Sequence, residues 1–459
     1  MEPFLKIFRL KMNYMFRKNI LFAFLFSLLS YSGLTQNQQE KVISLQEAIA
    51  IGLDRNVGLR QAENQLMSLS MDQTQAKMAY LPNVSLNVRA TRQVGQQFQL
   101  VEDGFEISNV QADRLSGGLS ASLSIFEGFN RQNQMRISDL EYKAQSEGIE
   151  REKQNVIFLV AQQYLQILLD QQLLEIARKN VENQNKQLDR IEGFTKTGLR
   201  PQADFFTQNA SVKQLEMEYI EAENTLLLDK AQLTQILQLD PLEEYVISSD
   251  GLMDTPQDEK LELAELFNLA IENRADLKQL KFRTQSANQN IESMKSGYLP
   301  NLRAFYEYGT QYSSLNTLNY RDQLLDLYPT NIVGLNLNIP IFNNYINKAN
   351  VERAKVNLHN TQLDFENTER IIFQDVQNAY LNYNAAIKRF EVSNAAFEAA
   401  EEAFKVQEER YNEGIANLAD LSLANQEYVT ASANKEQARF TLIFQEMILE
   451  YQVGTLEIE

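Results

Sequence analysis

Residues 130–195 contain no proline, and residues 347–413 contain neither proline nor glycine, so each stretch is free to run as one unbroken helix. At 1.5 Å per residue, a helix of that length spans roughly 100 Å. No compact globular domain has room for it. Each run stops at a glycine, Gly198 or Gly414, the residue that best accepts the left-handed backbone of a helix C-terminus, and Pro201 suits the first turn of the helix that follows. The returning helices, over about 201–237 and 418–451, are each roughly 50 Å long, so two half-length helices end to end match one long helix.

The chain is written twice. Leu45-Gln46-Glu47-Ala48-Ile49 through Tyr80-Leu81-Pro82-Asn83 returns as Leu263-Ala264-Glu265-Leu266-Phe267 through Tyr298-Leu299-Pro300-Asn301, a shift of 218 positions. Ile125-Phe126, Gly198, Ala203-Asp204 and Asn209 return as Ile341-Phe342, Gly414, Ala419-Asp420 and Asn425, at a shift of 216. Each half reads as helix, two strands, long helix, turn and helix. The first helices, 46–79 and 263–298, stop at Pro82 and Pro300, which cannot continue the helical hydrogen bonds. Beyond each proline the period changes to two. Val84, Leu86 and Val88 alternate with Ser85, Asn87 and Arg89; Leu119, Ala121 and Leu123 alternate with serines; Val333, Leu335 and Leu337 alternate with Gly334, Asn336 and Asn338. In the remaining strand Leu302, Ala304, Tyr306 and Tyr308 share one face, with Arg303, Phe305 and Glu307 on the other.

The expected organisation is a signal peptide at 1–35, then a first repeat at 36–240 with strands near 83–92 and 116–126. A linker at 241–262 leads to a second repeat at 263–454, with strands near 301–310 and 332–341, and a tail at 455–459. Within 1–35, Lys6, Arg9, Lys11, Arg17 and Lys18 precede the apolar run 20–29 and then Ser30, Ser32 and Gly33, the layout of a secretory signal. Such a run is about half the roughly 20 residues that a spanning helix needs. A chain exported in this way and lacking an apolar helix elsewhere enters a membrane only as strands. Four strands do not close a barrel, since single-chain barrels begin at about eight and unpaired edges are not tolerated in lipid. Several chains must then share one barrel.

Composition removes other functions. A net charge of −18 without a basic patch argues against nucleic acid, and the absence of cysteine excludes disulfides, thiol catalysis and Cys-based metal sites. The single histidine, His359, lies in a polar helical run and reads as a solvated surface residue. Ala395, Ala396, Ala399, Ala400 and Ala403 form a small-residue stripe that permits close helix contact, beside the hydrated Glu398, Glu401 and Glu402. No Walker A loop and no Gly-x-Ser-x-Gly elbow is present, so neither a cofactor nor enzymatic activity is expected.

The two-fold repeat, the Tyr-Leu-Pro-Asn helix ends and the strand exits Ile-Phe-Glu-Gly-Phe (125–129) and Pro-Ile-Phe-Asn-Asn (340–344) occur in one fixed order. Arg410-Tyr411-Asn412-Glu413-Gly414 followed by Asp420 completes that order. In this it resembles the TolC-like outer-membrane efflux family over essentially its whole mature length. The resemblance implies a mixed α+β membrane protein, a homotrimer whose subunits give four strands each to one transmembrane β-barrel above a coiled-coil periplasmic tunnel. It also implies contact with outer-membrane lipid, a periplasmic adaptor, and an inner-membrane efflux pump or ABC transporter. By motif, Gly198, Leu199, Gly414 and Ile415 would be adaptor-contact tips. Asp204, Tyr411 and Asp420 would line the entrance, and Pro82, Pro300, Phe126 and Phe342 would mark the helix-to-barrel transitions. Both aspartates also read as ordinary acids at a helix N-terminus. Ala416 and Leu423 stand where some members carry gate residues. The alternative reading is a periplasmic coiled-coil scaffold without a pore; an exported hydrolase lacks any apolar pocket to raise a carboxyl pKa.

Overall fold

A computed structural model describes residues 41–101, 104–243, 245–248 and 262–456. The expected signal peptide, most of the 241–262 linker and the end of the tail lie outside the described residues. The first half comprises β1 (Lys41–Ile43), α1 (Leu45–Arg55), α2 (Val57–Met78), β2 (Asn83–Val101), β3 (Gly104–Glu127), α3 (Asn130–Lys196) and α4 (Gln202–Ile236). After β4 (Tyr245–Ile247), the second half runs through α5 (Leu263–Asn273), α6 (Ala275–Lys295), β5 (Asn301–Ser313), β6 (Thr330–Asn338), α7 (Ile346–Asn412) and α8 (Leu418–Val453). Two compact units result. The smaller, described over residues 41–43, 242–243 and 245–246, holds β1 and most of β4, which pair as a two-stranded sheet; the larger holds the other elements.

Within the larger unit the duplication is structural. Helices α3 and α7 are both 67 residues long and start 216 positions apart. Each is entered through two left-handed residues, Gly128-Phe129 (φ 61 and 67) and Asn344-Tyr345 (φ 52 and 65). Glycine and asparagine tolerate that conformation; the aromatic residues after them do not favour it and are held there by the strand exit on one side and the long helix on the other. Burial repeats as well: Val156 and Ile372, Val160 and Val376, Ile167 and Tyr383, Leu226 and Leu442, Leu233 and Leu449 are all buried. Ile372 and Val376 are fully enclosed by Leu266, Ala270, Leu277, Leu442 and Leu449, and burying each stabilises the fold by about 2 kcal/mol.

The helices form a layer four elements wide. On the strand side the packing order is α2, α3, α6, α7; beyond the middle, α4 and α8 replace α2 and α6, giving α4, α3, α8, α7. The sheet follows the same plan in the order β2-β3-β5-β6, all antiparallel. Among the described residues no helix is long and apolar enough to cross a membrane.

Two features differ from the sequence expectation. The first helix of each repeat is broken, at Asn56 (φ −58, ψ 124) and at Arg274 (φ −62, ψ 117). Asn56 ends one helix and caps the next, its Oδ1 accepting from the Leu59 N–H at 2.9 Å. The first hairpin is also longer than its alternation suggested. Strands β2 and β3 stay paired out to Val101↔Gly104, because ladder hydrogen bonds join backbones and do not require an apolar face.

Candidate functional site

Register decides which way the strands face. Val84, Ala121, Tyr306 and Val333 are successive cross-strand neighbours, as are Leu123, Ala304 and Leu335, so one face of the sheet is an apolar band. Leu86, Val88, Val333 and Leu335 are exposed on it, at 72, 64, 84 and 67%. The opposite face carries Ser85, Ser120 and Glu307 in one row, with the two serine hydroxyls 2.7 Å apart. Phe305 falls among these polar residues because Gly334 leaves room for its ring: a Cβ on Gly334 would sit 2.6 Å from the ring edge. An apolar band backed by a polar face is the pattern of a lipid-facing barrel wall with a wet lumen.

A second consequence of the layer order is that its two edges stay open. Among the described residues, β2 and β6 each have one unpaired side. The flanking helices show the same vacancy: Met67, Met71 and Met78 on α2, Met217, Ile220 and Leu228 on α4, and Val356, Leu363 and Val392 on α7 are all exposed. Ala395, Ala396, Ala399 and Ala403 of the small-residue stripe are uncovered too, whereas Phe397 and Phe404 of the same segment pack on Tyr428 of α8.

The transitions between strands and helices are braced by polar groups. Arg131 donates to the Ala79 carbonyl at 3.1 Å and to that of Ser124, and lies over the Tyr80 ring at 4.7 Å. Phe126 meets Phe129 edge-on at 5.3 Å, next to a bulge that leaves Ile125 unpaired. Pro82 and Leu81 are exposed and Pro300 is half-buried. Ile341 and Phe342 stand 96 and 74% exposed.

At the far end both turns close as left-handed caps. Gly198 has φ 80 and Gly414 φ 74, with Leu199 N–H donating to Phe194 C=O at 2.9 Å and Ile415 N–H to Arg410 C=O at 2.8 Å. Leu199 and Ile415 are left bare at 72 and 69% exposure. Tyr411, in contrast, is 4% exposed and packs with Ile191, Ala416, Leu418 and Leu421. Arg200 lies over its ring at 4.8 Å. Burial pushes the Tyr411 hydroxyl up, Asp204 adds to that, and Arg200 and Gln187 oppose it. Tyr411, Asp204, Arg200 and Gln187 thus meet at one place. Asp204 also borders a groove of about 870 Å³ between α4 and α8, whose floor is Asn180 and Gln184 of α3 and whose far wall includes Leu423. Asp420 is exposed outside that groove, its N–H held by the Asn417 side chain at 2.8 Å.

Two arrangements escaped the sequence reading. Arg274 forms a buried ionic knot with Asp276, and Asp170 is a buried carboxyl next to Asp229. The signal for the second was present: Asp170 is the one charge within the apolar stretch 164–174.

With this geometry in hand, the sequence matches the family described as outer membrane efflux protein over residues 48–238 and 266–446, one segment in each repeat. The outer membrane protein TolC of Vibrio cholerae is 23% identical over 387 residues, covering 83% of this chain and 84% of that protein. TolC of Escherichia coli is 23% identical over 353 residues, covering 74 and 70%. Among solved structures, the Campylobacter jejuni CmeC outer membrane channel superposes with a TM-score of 0.77 at 16% identity, over 90% of this chain and 85% of that one.

Proposed function

The chain belongs to the outer membrane efflux protein family, and on that premise we propose that it is the outer-membrane exit duct of an efflux or secretion system. It conducts solutes passively to the exterior from a pump in the inner membrane, to which a periplasmic adaptor connects it. The observation that carries this reading is the agreement of three levels on the same two open edges. β2, α2 and α4 end the layer on one side, β6 and α7 on the other. A layer left open in the same sense at every level is completed by copies of itself, the free side of β6 pairing with β2 of the next copy and α7 covering the exposed methionines of α2. Three copies would give a twelve-stranded barrel, within the size range of membrane barrels.

In that assembly the apolar band contacts lipid and the serine-bearing face lines the lumen. The bare apolar tips at Leu199 and Ile415 are the proposed adaptor contacts. Asp420, exposed one turn into α8, is the proposed entrance carboxylate, while Tyr411 braces the tip from inside its own chain. Purified protein in a planar bilayer should conduct ions in discrete steps. A protein that stays soluble without detergent and gives no conductance would instead be a periplasmic scaffold.

A further inference from the structure

Asp170 is an anomaly in the middle of α3. Only 5% of the residue is exposed, and Ile167 and Leu168 in the turn before it are buried as well. Oδ1 accepts from Gln166 Nε2 at 2.9 Å, whereas Oδ2 is buried and receives no donor among the described residues. Within hydrogen-bonding reach is a second carboxyl, Asp229 of α4, whose Oδ1 and backbone carbonyl accept from Gln163 Nε2 at 3.3 and 3.1 Å. Two adjacent carboxylates in a region of low dielectric do not both ionise readily; one proton held between them satisfies the otherwise empty oxygen and removes the repulsion.

We propose that Asp170 and Asp229 share one proton and so form a latch that fastens α4 to α3, and that loss of the proton loosens α4. The direction of titration agrees with the geometry. Burial, followed by Asp229, pushes the Asp170 carboxyl up to about 7, with Gln166 opposing. No other described charge takes over Asp229's role. The contacts Tyr451–Asn155 and Asn425–Asn180 set α8 antiparallel to α3 and bring Lys435 and Glu436 to the height of Asp170. Lys435, however, lies over the Phe397 ring, and Glu436 pairs with Arg439 at 3.0 Å. At the end of β4 and just beyond it, the Ile247 carbonyl accepts from Gln171 Nε2 at 3.4 Å and the Ser248 carbonyl from the Tyr164 hydroxyl at 2.6 Å.

The sign follows from linkage. The folded protein holds the proton at pH values where the unfolded chain has released it, so the latch is at full strength below the ordinary Asp range and is lost as pH rises through about 7. The second repeat supplies an internal control, because Ala386 and Gln445 occupy the positions 216 residues on and have no proton to share.

Hydrogen exchange of the intact protein in detergent tests this without reference to conduction. After correction for intrinsic rates, amides of α4 around Asp229 should exchange about tenfold or more faster at about pH 8.5 than at about pH 6, up to one order of magnitude for each pH unit above about 7. Amides around Gln445 in α8 should not. Asp170→Asn and Asp229→Asn, each of which replaces the pair's charge with an amide, should abolish the step. Equal steps in α4 and α8, a step that survives in both variants, or protection regained at high pH by millimolar calcium would overturn the shared proton.

Discussion

Arg274 grips Asp276 with two parallel bonds, Nη2 to Oδ2 at 2.5 Å and Nε to Oδ1 at 3.0 Å, from a position where the arginine side chain is 6% exposed. The same guanidinium donates to Gln452 at 3.1 Å and lies 3.8 Å from Asp375. One side chain at the break between α5 and α6 therefore ties that break to both α7 and α8. Burial alone would raise the Asp276 carboxyl, but the arginine outweighs it and leaves the pKa below its usual value. Stability from this carboxylate is thus present at neutral pH and lost as pH falls through the acid range.

Arg274→Ala should lower stability by about 3 kcal/mol, because it leaves two aspartates without their partner. Arg274→Lys should recover little of this, since a point charge cannot make the two-pronged contact. Urea unfolding followed by helical circular dichroism would measure both.

At the strand exit, Gly128→Ala is expected to cost at least about 1–2 kcal/mol: the residue is left-handed at φ 61, and a Cβ would lie 2.6 Å from the Ser296 carbonyl oxygen. Asn344→Gly, at the equivalent turn, should be nearly neutral. Comparing the yield of folded protein in the membrane fraction and the melting temperatures of the two variants tests the pair.

Tyr411→Phe should leave both stability and conductance close to wild type, because the ring packs in the tip core and its hydroxyl has no strong partner. Tyr411→Ala should cost about 3–5 kcal/mol through the cavity it opens. A conductance change from the phenylalanine variant would place the hydroxyl in the pore.

Asp420→Asn is expected to weaken block by trivalent cations, since the exposed carboxylate would be repeated around the entrance in the assembled channel. Single-channel recordings with and without the blocker give the answer. Unchanged block removes Asp420 from the entrance.

Much of the fold was legible because it rests on punctuation that one residue type supplies: Pro82 and Pro300 end helices, and Gly198 and Gly414 supply positive φ. The breaks at Asn56 and Arg274 were not, since both residues also occur inside helices and nothing local separates a break from a continuation. The length of the first hairpin was hidden for a related reason, a backbone ladder having no side-chain signature. At the tips the sequence located Gly198, Leu199, Gly414 and Ile415 at the turns. It could not show that Tyr411 turns inward, because a tyrosine next to a glycine turn serves equally as core or as lining.

The proposed assembly requires that the open layer close with copies of itself, β6 against β2. Native mass spectrometry of the protein released from outer membranes in mild detergent measures this directly. A single dominant species of three chains is expected. A monomer, or a closed species of any other number, would rule out the three-chain barrel.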